Sequence, residues 1–250
     1  MSLCAEPSNG SVQRGETLAQ MTARVSTFAF DSVPYEPSFG LPKSLNSKVI
    51  PSSGELAPFY GNTIVYELDA EVIAELDEIT DSLYEEFAAS LCTRISPDTY
   101  HLTLHDLHSS PQLPKVAANV FTDTPRALQL VDRARIVGPI AMRCTCVFNL
   151  VNTSIVVGLL PITDEDCERL AQARALFDEI TPAGLFTPHI TLAYYRPDAP
   201  QELNPEKLRQ LLAELSTEID GLLVALHPGR LQLWQFASMA NYWRITKVGD

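Results

Sequence analysis

The chain has 250 residues, 46% of them hydrophobic, which is enough for one large core or two small lobes and excludes disorder throughout. Eighteen Lys and Arg against 31 Asp and Glu give a formal charge of −13. That charge repels a long phosphate backbone and argues against extended nucleic acid as a partner.

In chain order, the N-terminus has no basic start followed by an apolar run, so no signal peptide is expected. Residues 1–60 are rich in Pro, Ser and Gly without a sustained apolar period, which predicts a partly flexible arm rather than a domain. Tyr35, Phe39, Phe59 and Tyr60 are its candidates for covering a groove as a lid. The body, residues 61–250, begins with a strand over 64–68 and a helix over 71–89 with apolar positions at Val72, Ile73, Leu76, Ile79, Leu83 and Phe87. A strand over 100–107 follows, then a helix around 125–133 and hairpin material over 140–160. There Asn149, Asn152, Thr153 and Ser154 suit a turn between two strands far better than a membrane span. The order then repeats: a strand over 155–160, a helix from Thr163 to about Ile180 with Asp164 and Asp166 in its first turn, and a strand over 188–195. A helix over 205–215 and hairpin material over 222–246 close the chain. Strand, helix and strand thus occur twice at nearly equal length. This predicts an α+β protein of two pseudo-symmetric lobes, each an antiparallel sheet with helices on its outer face, around a central cleft.

The two repeated strands carry one tetrapeptide each, His101-Leu102-Thr103-Leu104 and His189-Ile190-Thr191-Leu192. Strand alternation points His101 with Thr103, and His189 with Thr191, to the cleft, and the aliphatic residues to the core. A double chance match is roughly a one-in-a-thousand event, so the pair is treated as a site. Strict alternation adds His105 to the His101 face and Tyr195 to the His189 face, both as substrate contacts. Arg143, in the basic stretch with Arg126, Arg133 and Arg135, and Asn62, ahead of the first strand, are further substrate-binding candidates. Trp234 and Trp243 read as core or lobe packing. Cys4, Cys92, Cys144, Cys146 and Cys167 show no zinc spacing and read as buried or free thiols, with Cys144 and Cys146 on one strand face. No metal and no cofactor are expected, and a cytoplasmic location is.

His101 to Leu104 and Pro188 to Tyr194 resemble the two motifs of the two-histidine (2H) phosphoesterases, which include LigT-like RNA ligases and cyclic nucleotide phosphodiesterases. The resemblance covers about residues 48–247. Within the family, residues 58–63 and 96–104 are similar to a little-characterised bacterial and fungal branch. It implies hydrolysis of a small phosphodiester, a 2′,3′-cyclic nucleotide or oligonucleotide end, with His101 and His189 as acid and base and Thr103 and Thr191 on the phosphate. Which histidine plays which role, the oligomeric state and the physiological substrate stay open. A non-catalytic nucleotide-binding module, or RNA ligation or end-processing, are the alternatives.

Overall fold

The computed structural model of the chain describes residues 16–34, 40–182 and 184–246. Cys4, Tyr35 and Phe39 lie outside them. Helix α1 (Leu18–Asp31) is followed by β1 (Tyr60–Glu67), α2 (Ala70–Phe87), β2 (His101–Ser110), α3 (Leu113–Arg135), β3 (Ile140–Leu150), β4 (Ser154–Pro161) and α4 (Asp164–Ala175). Strand β5 (His189–Tyr194), α5 (Pro205–Ile219), β6 (Leu223–Leu226), β7 (Leu231–Ser238) and β8 (Asn241–Ile245) complete the order.

All eight strands join one antiparallel sheet in the order β6-β3-β4-β5-β2-β1-β7-β8. The two motif strands meet at its centre through a single register pair, Leu102 with Ile190, so a thin seam divides the sheet into two four-stranded lobes. The two-lobed α+β architecture is as expected, but the strands are shared out differently. The hairpin β3–β4, which follows the first repeat, belongs to the second lobe. The stretch 222–246 is not one hairpin, because β6 pairs with β3 in the second lobe while β7 pairs with β1 in the first. Each lobe thus depends on a strand from the other repeat, which ties the two into one folding unit.

Leu102, Leu104, Ile190 and Leu192 are fully buried in the main core, together with the inner faces of α2, α3 and α5. Helix α4 starts where the sequence places it: Thr163 accepts from the Asp166 amide at 3.1 Å and Asp166 accepts from the Thr163 amide at 3.2 Å, a closed capping box. Helix α3 is much longer than expected. Pro125 sits inside it rather than at its start, and the hydrogen bond lost there falls on a half-helix facing water. The β3–β4 turn holds Val151 and Asn152 at positive φ (44° and 57°), tied by Asn149 Nδ2 donating to Asn152 Oδ1 at 2.6 Å.

Two further corrections concern faces. A register shift between Cys144 and Cys146 sends Cys144 into the main core and Cys146 to the opposite face beside Phe148 and Val156. Residues 1–60 also hold a helix that the Pro and Ser content hides. Thr17 and Gln20 close a capping box at the start of α1, and its Met21, Val25 and Phe28 pack on Leu160, Cys146, Phe148 and Val156. Val156 is the register partner of Thr191. Helix α1 therefore covers the face that carries the motif side chains, not the outer face. Trp234 is packed as expected, whereas Trp243 is 44% exposed. Among the described residues no helix is long and apolar enough to cross a membrane.

Candidate active site

A groove of about 720 Å³ runs over the seam, and His101, Thr103, His189 and Thr191 all line it. Strand geometry does this directly, since residues two apart on β2 and on β5 project to one side. The two histidines are anchored alike. The Thr99 carbonyl lies 2.6 Å from His101 Nδ1, and the Thr187 carbonyl 2.7 Å from His189 Nδ1. A carbonyl only accepts, so each Nδ1 carries the proton and each Nε2 is left for the groove. Burial lowers both imidazole pKa values below the ordinary 6.5, opposed by these carbonyls and by the negative charge of Asp106; each ring is neutral near pH 7. The His101 ring is packed edge-on against Trp234 and Tyr242, with centroids 5.1 and 5.2 Å away. Gly158, the cross-strand neighbour of His189, gives the Phe148 ring its space, since a Cβ there would stand 2.9 Å from a ring carbon.

His105 and Tyr195 are not in the groove. In β2 the register steps from Thr103 opposite Val65 to His105 opposite Ile64, and in β5 from Thr191 opposite Val156 to Ala193 opposite Ile155. One residue, Leu104 or Leu192, is skipped in each strand. Such a bulge reverses the alternation beyond it. His105 is consequently fully buried between the Asp106 carbonyl and the Asp178 carboxylate, at 2.7 and 3.1 Å, and Tyr195 is fully buried in the core. Asp106, one residue after His105, and Tyr194, one residue before Tyr195, take the groove positions instead. Tyr194 shares a side-chain hydrogen bond with Thr191.

Arg143 does not line the groove; it lies 3.9 Å from Asp220. Asn62 is buried, its side-chain oxygen accepting from the His108 amide at 3.1 Å. The groove cations are Lys48 and Arg174, neither of them singled out by the sequence. Lys48, from the segment read as an arm, stands over the rings of Phe59 and Tyr194, 5.5 Å from each centroid. Arg174, at the end of α4, donates to the carbonyls of Leu104 and Gly184 and lies 4.4 Å over the Phe186 ring. Burial lowers the pKa of both, with Asp106 opposing. Phe59 lines the groove wall, stacked on Phe236; Tyr60 opens β1 and does not line it.

No family profile matches the sequence, and no curated protein matches it significantly. Solved structures do match. A conserved protein of unknown function, ATU0111 from Agrobacterium tumefaciens, is 20% identical with a TM-score of 0.58, covering 83% of this chain and 93% of its own. TT0787 of Thermus thermophilus is 19% identical with a TM-score of 0.50, covering 74% and 94%. LigT of E. coli in its apo form is 18% identical with a TM-score of 0.45, covering 76% and 96%. The likenesses to ATU0111 and TT0787 establish the fold alone.

Proposed function

We propose that the chain is a phosphoesterase that opens a small cyclic phosphodiester, a 2′,3′-cyclic nucleotide or an oligonucleotide end bearing one, using His101 and His189 as acid and base. One observation carries the reading: two imidazoles, each held as the Nδ1–H form by a carbonyl two residues upstream, share a groove with two strand-borne threonines. One Nε2 takes a proton from water as its oxygen attacks phosphorus; the other, as imidazolium, gives a proton to the departing ribose oxygen. The product is a phosphomonoester, and the two rings exchange protonation states. Each proton transfer is worth about 10²–10⁴ in rate, and the pair supplies both transfers without a metal. Thr103 and Thr191 donate to the non-bridging oxygens, where charge builds in the transition state.

Both rings are neutral in the empty groove, so the acid acquires its proton as the anion enters. A phosphodiester brings a negative charge beside the ring and raises its pKa, and Asp106 acts in the same direction. Lys48 and Arg174 offset the substrate charge. The groove admits a nucleotide or a short oligonucleotide end, and the surrounding charge of −13 disfavours a long strand.

The test is product chromatography after incubation with 2′,3′-cyclic nucleotides in EDTA, with His101→Ala and His189→Ala as controls. Ring opening that both substitutions abolish is the expected result, and the 2′- or 3′-phosphate formed identifies the leaving oxygen. Turnover lost in EDTA, or surviving both substitutions, would overturn the mechanism. Saturable binding with the ligand recovered unchanged would instead make the chain a nucleotide-binding module.

A further inference from the structure

The two histidines are anchored through carbonyls of very different surroundings. Thr99 belongs to a 3-10 turn, Pro97–Thr99, closed by its own hydroxyl donating to the Ser96 carbonyl at 2.7 Å. Thr187 lies in segment 184–188, which has no helix or strand and forms one wall of the groove through Gly184, Leu185, Phe186 and Thr187. An irregular segment of this kind holds a catalytic carbonyl in place only if something outside it fixes the backbone.

That support comes from α1. Arg24 Nη1 donates to Thr187 Oγ1 at 2.7 Å and Nη2 to the Phe186 carbonyl at 2.6 Å, bracketing the residue whose carbonyl holds His189. The guanidinium is itself held by both oxygens of Glu16, at 2.9 and 2.7 Å, and the two charged side chains are only 21% and 16% exposed. Arg174 grips the same wall from the groove side, through the Gly184 carbonyl and the Phe186 ring. A planar guanidinium with five donors can bracket two acceptors while remaining paired to a carboxylate; a lysine ammonium cannot reproduce that fork.

We infer that Arg24, clamped by Glu16, is a positioning residue for His189: through Thr187 it sets the tautomer and orientation of that imidazole, making the N-terminal helix part of the active site. Only the kinetic arm of the test rests on the proposed phosphoesterase reading. The chain of contacts is Glu16 to Arg24, Arg24 to Thr187, and Thr187 to His189, and none of these residues except His189 needs to meet substrate. Among the described residues His101 has no link of this kind to α1.

The experiment is ¹⁵N-resolved NMR of the histidine rings in the full chain without substrate, comparing wild type, Arg24→Ala, Arg24→Lys and Phe28→Leu. Phe28→Leu loosens the packing of α1 on Phe148 without touching the clamp. The expected result is that Arg24→Ala turns His189 from the Nδ1–H form into a mixture of tautomers and leaves His101 unchanged. Arg24→Lys should restore it only in part, and Phe28→Leu should lower Tm without altering either ring. With a 2′,3′-cyclic nucleotide, Arg24→Ala should lose about 10- to 100-fold in kcat with little change in KM. An unchanged His189 in Arg24→Ala, or an equal change in Phe28→Leu, would overturn the inference. A His189 change in a protein that turns over no cyclic nucleotide would uphold it while removing the proposed function.

Discussion

The two motif strands follow the same path residue for residue. Each gives a histidine, a core aliphatic, a threonine and a skipped leucine, then a core-facing residue and a groove-facing one. The first lobe thereby delivers Asp106 and the second Tyr194, at equivalent positions with opposite chemistry. Their supports differ more. His101 is wedged between Trp234 and Tyr242 on β7 and β8 of its own lobe. His189 depends on an irregular wall held by two arginines, one of them on α1. The two lobes share the backbone course that aims the groove histidines, while the packing that steadies each histidine differs.

The largest test of that equivalence is removal of the two threonine hydroxyls. Thr103→Val and Thr191→Val keep the side-chain shape and should each cost about 10² in kcat, as loss of one transition-state donor does. Comparable losses support equal roles on the phosphate; a variant retaining wild-type kcat removes its threonine from the mechanism. The second test concerns the cation that stands over the second lobe's tyrosine. Lys48 stands between Phe59 and Tyr194, and Lys48→Met should raise KM about tenfold, or 1.4 kcal/mol, with the smaller change in kcat. A KM equal to wild type would place Lys48 outside the substrate's reach.

The grouping of four side chains in one groove was legible because His101, Thr103, His189 and Thr191 precede the irregularity in their strands, where a period of two still holds. Beyond it the same rule selects His105, one residue short of the groove side chain Asp106, and Tyr195, one residue past the groove side chain Tyr194. A bulge leaves no mark in these residues, since Leu104 and Leu192 look like any core position. Lys48 and Arg174 were illegible for another reason: one comes from a loop and the other from a helix end, and neither has a periodic partner on the motif strands. Helix α1 was obscured by composition. The Pro and Ser content of 1–60 masks a stretch, 18–31, that contains no proline and whose apolar face is narrow, carried by Met21, Val25 and Phe28. The lobe pairing was illegible too, because a strand's nearest repeat in sequence does not decide which sheet edge it joins.

A third, smaller effect should separate the equivalent positions Asp106 and Tyr194. Both imidazoles titrate below 6.5, so the bell-shaped kcat/KM profile should peak on the acidic side of that value. Asp106 raises both values by its charge, so Asp106→Asn should move both limbs to lower pH. Tyr194→Phe removes no negative charge near neutrality, because burial pushes that phenol's pKa upward, and should leave the limbs in place. Displacement by Tyr194→Phe but not by Asp106→Asn would break the electrostatic assignment.

The smallest expected effect is on stability. In the unfolded chain His101 and His189 bind protons with a pKa of about 6.5, whereas in the folded groove both titrate lower because burial disfavours the imidazolium. As pH falls through 6.5 the unfolded state binds more protons than the native state, and stability rises with pH wherever that is so. The contribution is therefore complete above about pH 6.5 and is lost progressively toward the lower folded values. Urea unfolding of wild type should show a midpoint that declines from pH 7.5 to 5.5. A His101→Gln, His189→Gln double variant should decline less over the same range, since the remaining groups titrate in both proteins. In the Asp106→Asn protein, whose imidazoles lose the charge that opposes their burial, the decline should be steeper than in wild type. Parallel slopes in all three proteins would mean that the groove does not disfavour the charged imidazoles, and the acidic displacement of the activity profile would lose its physical basis with it.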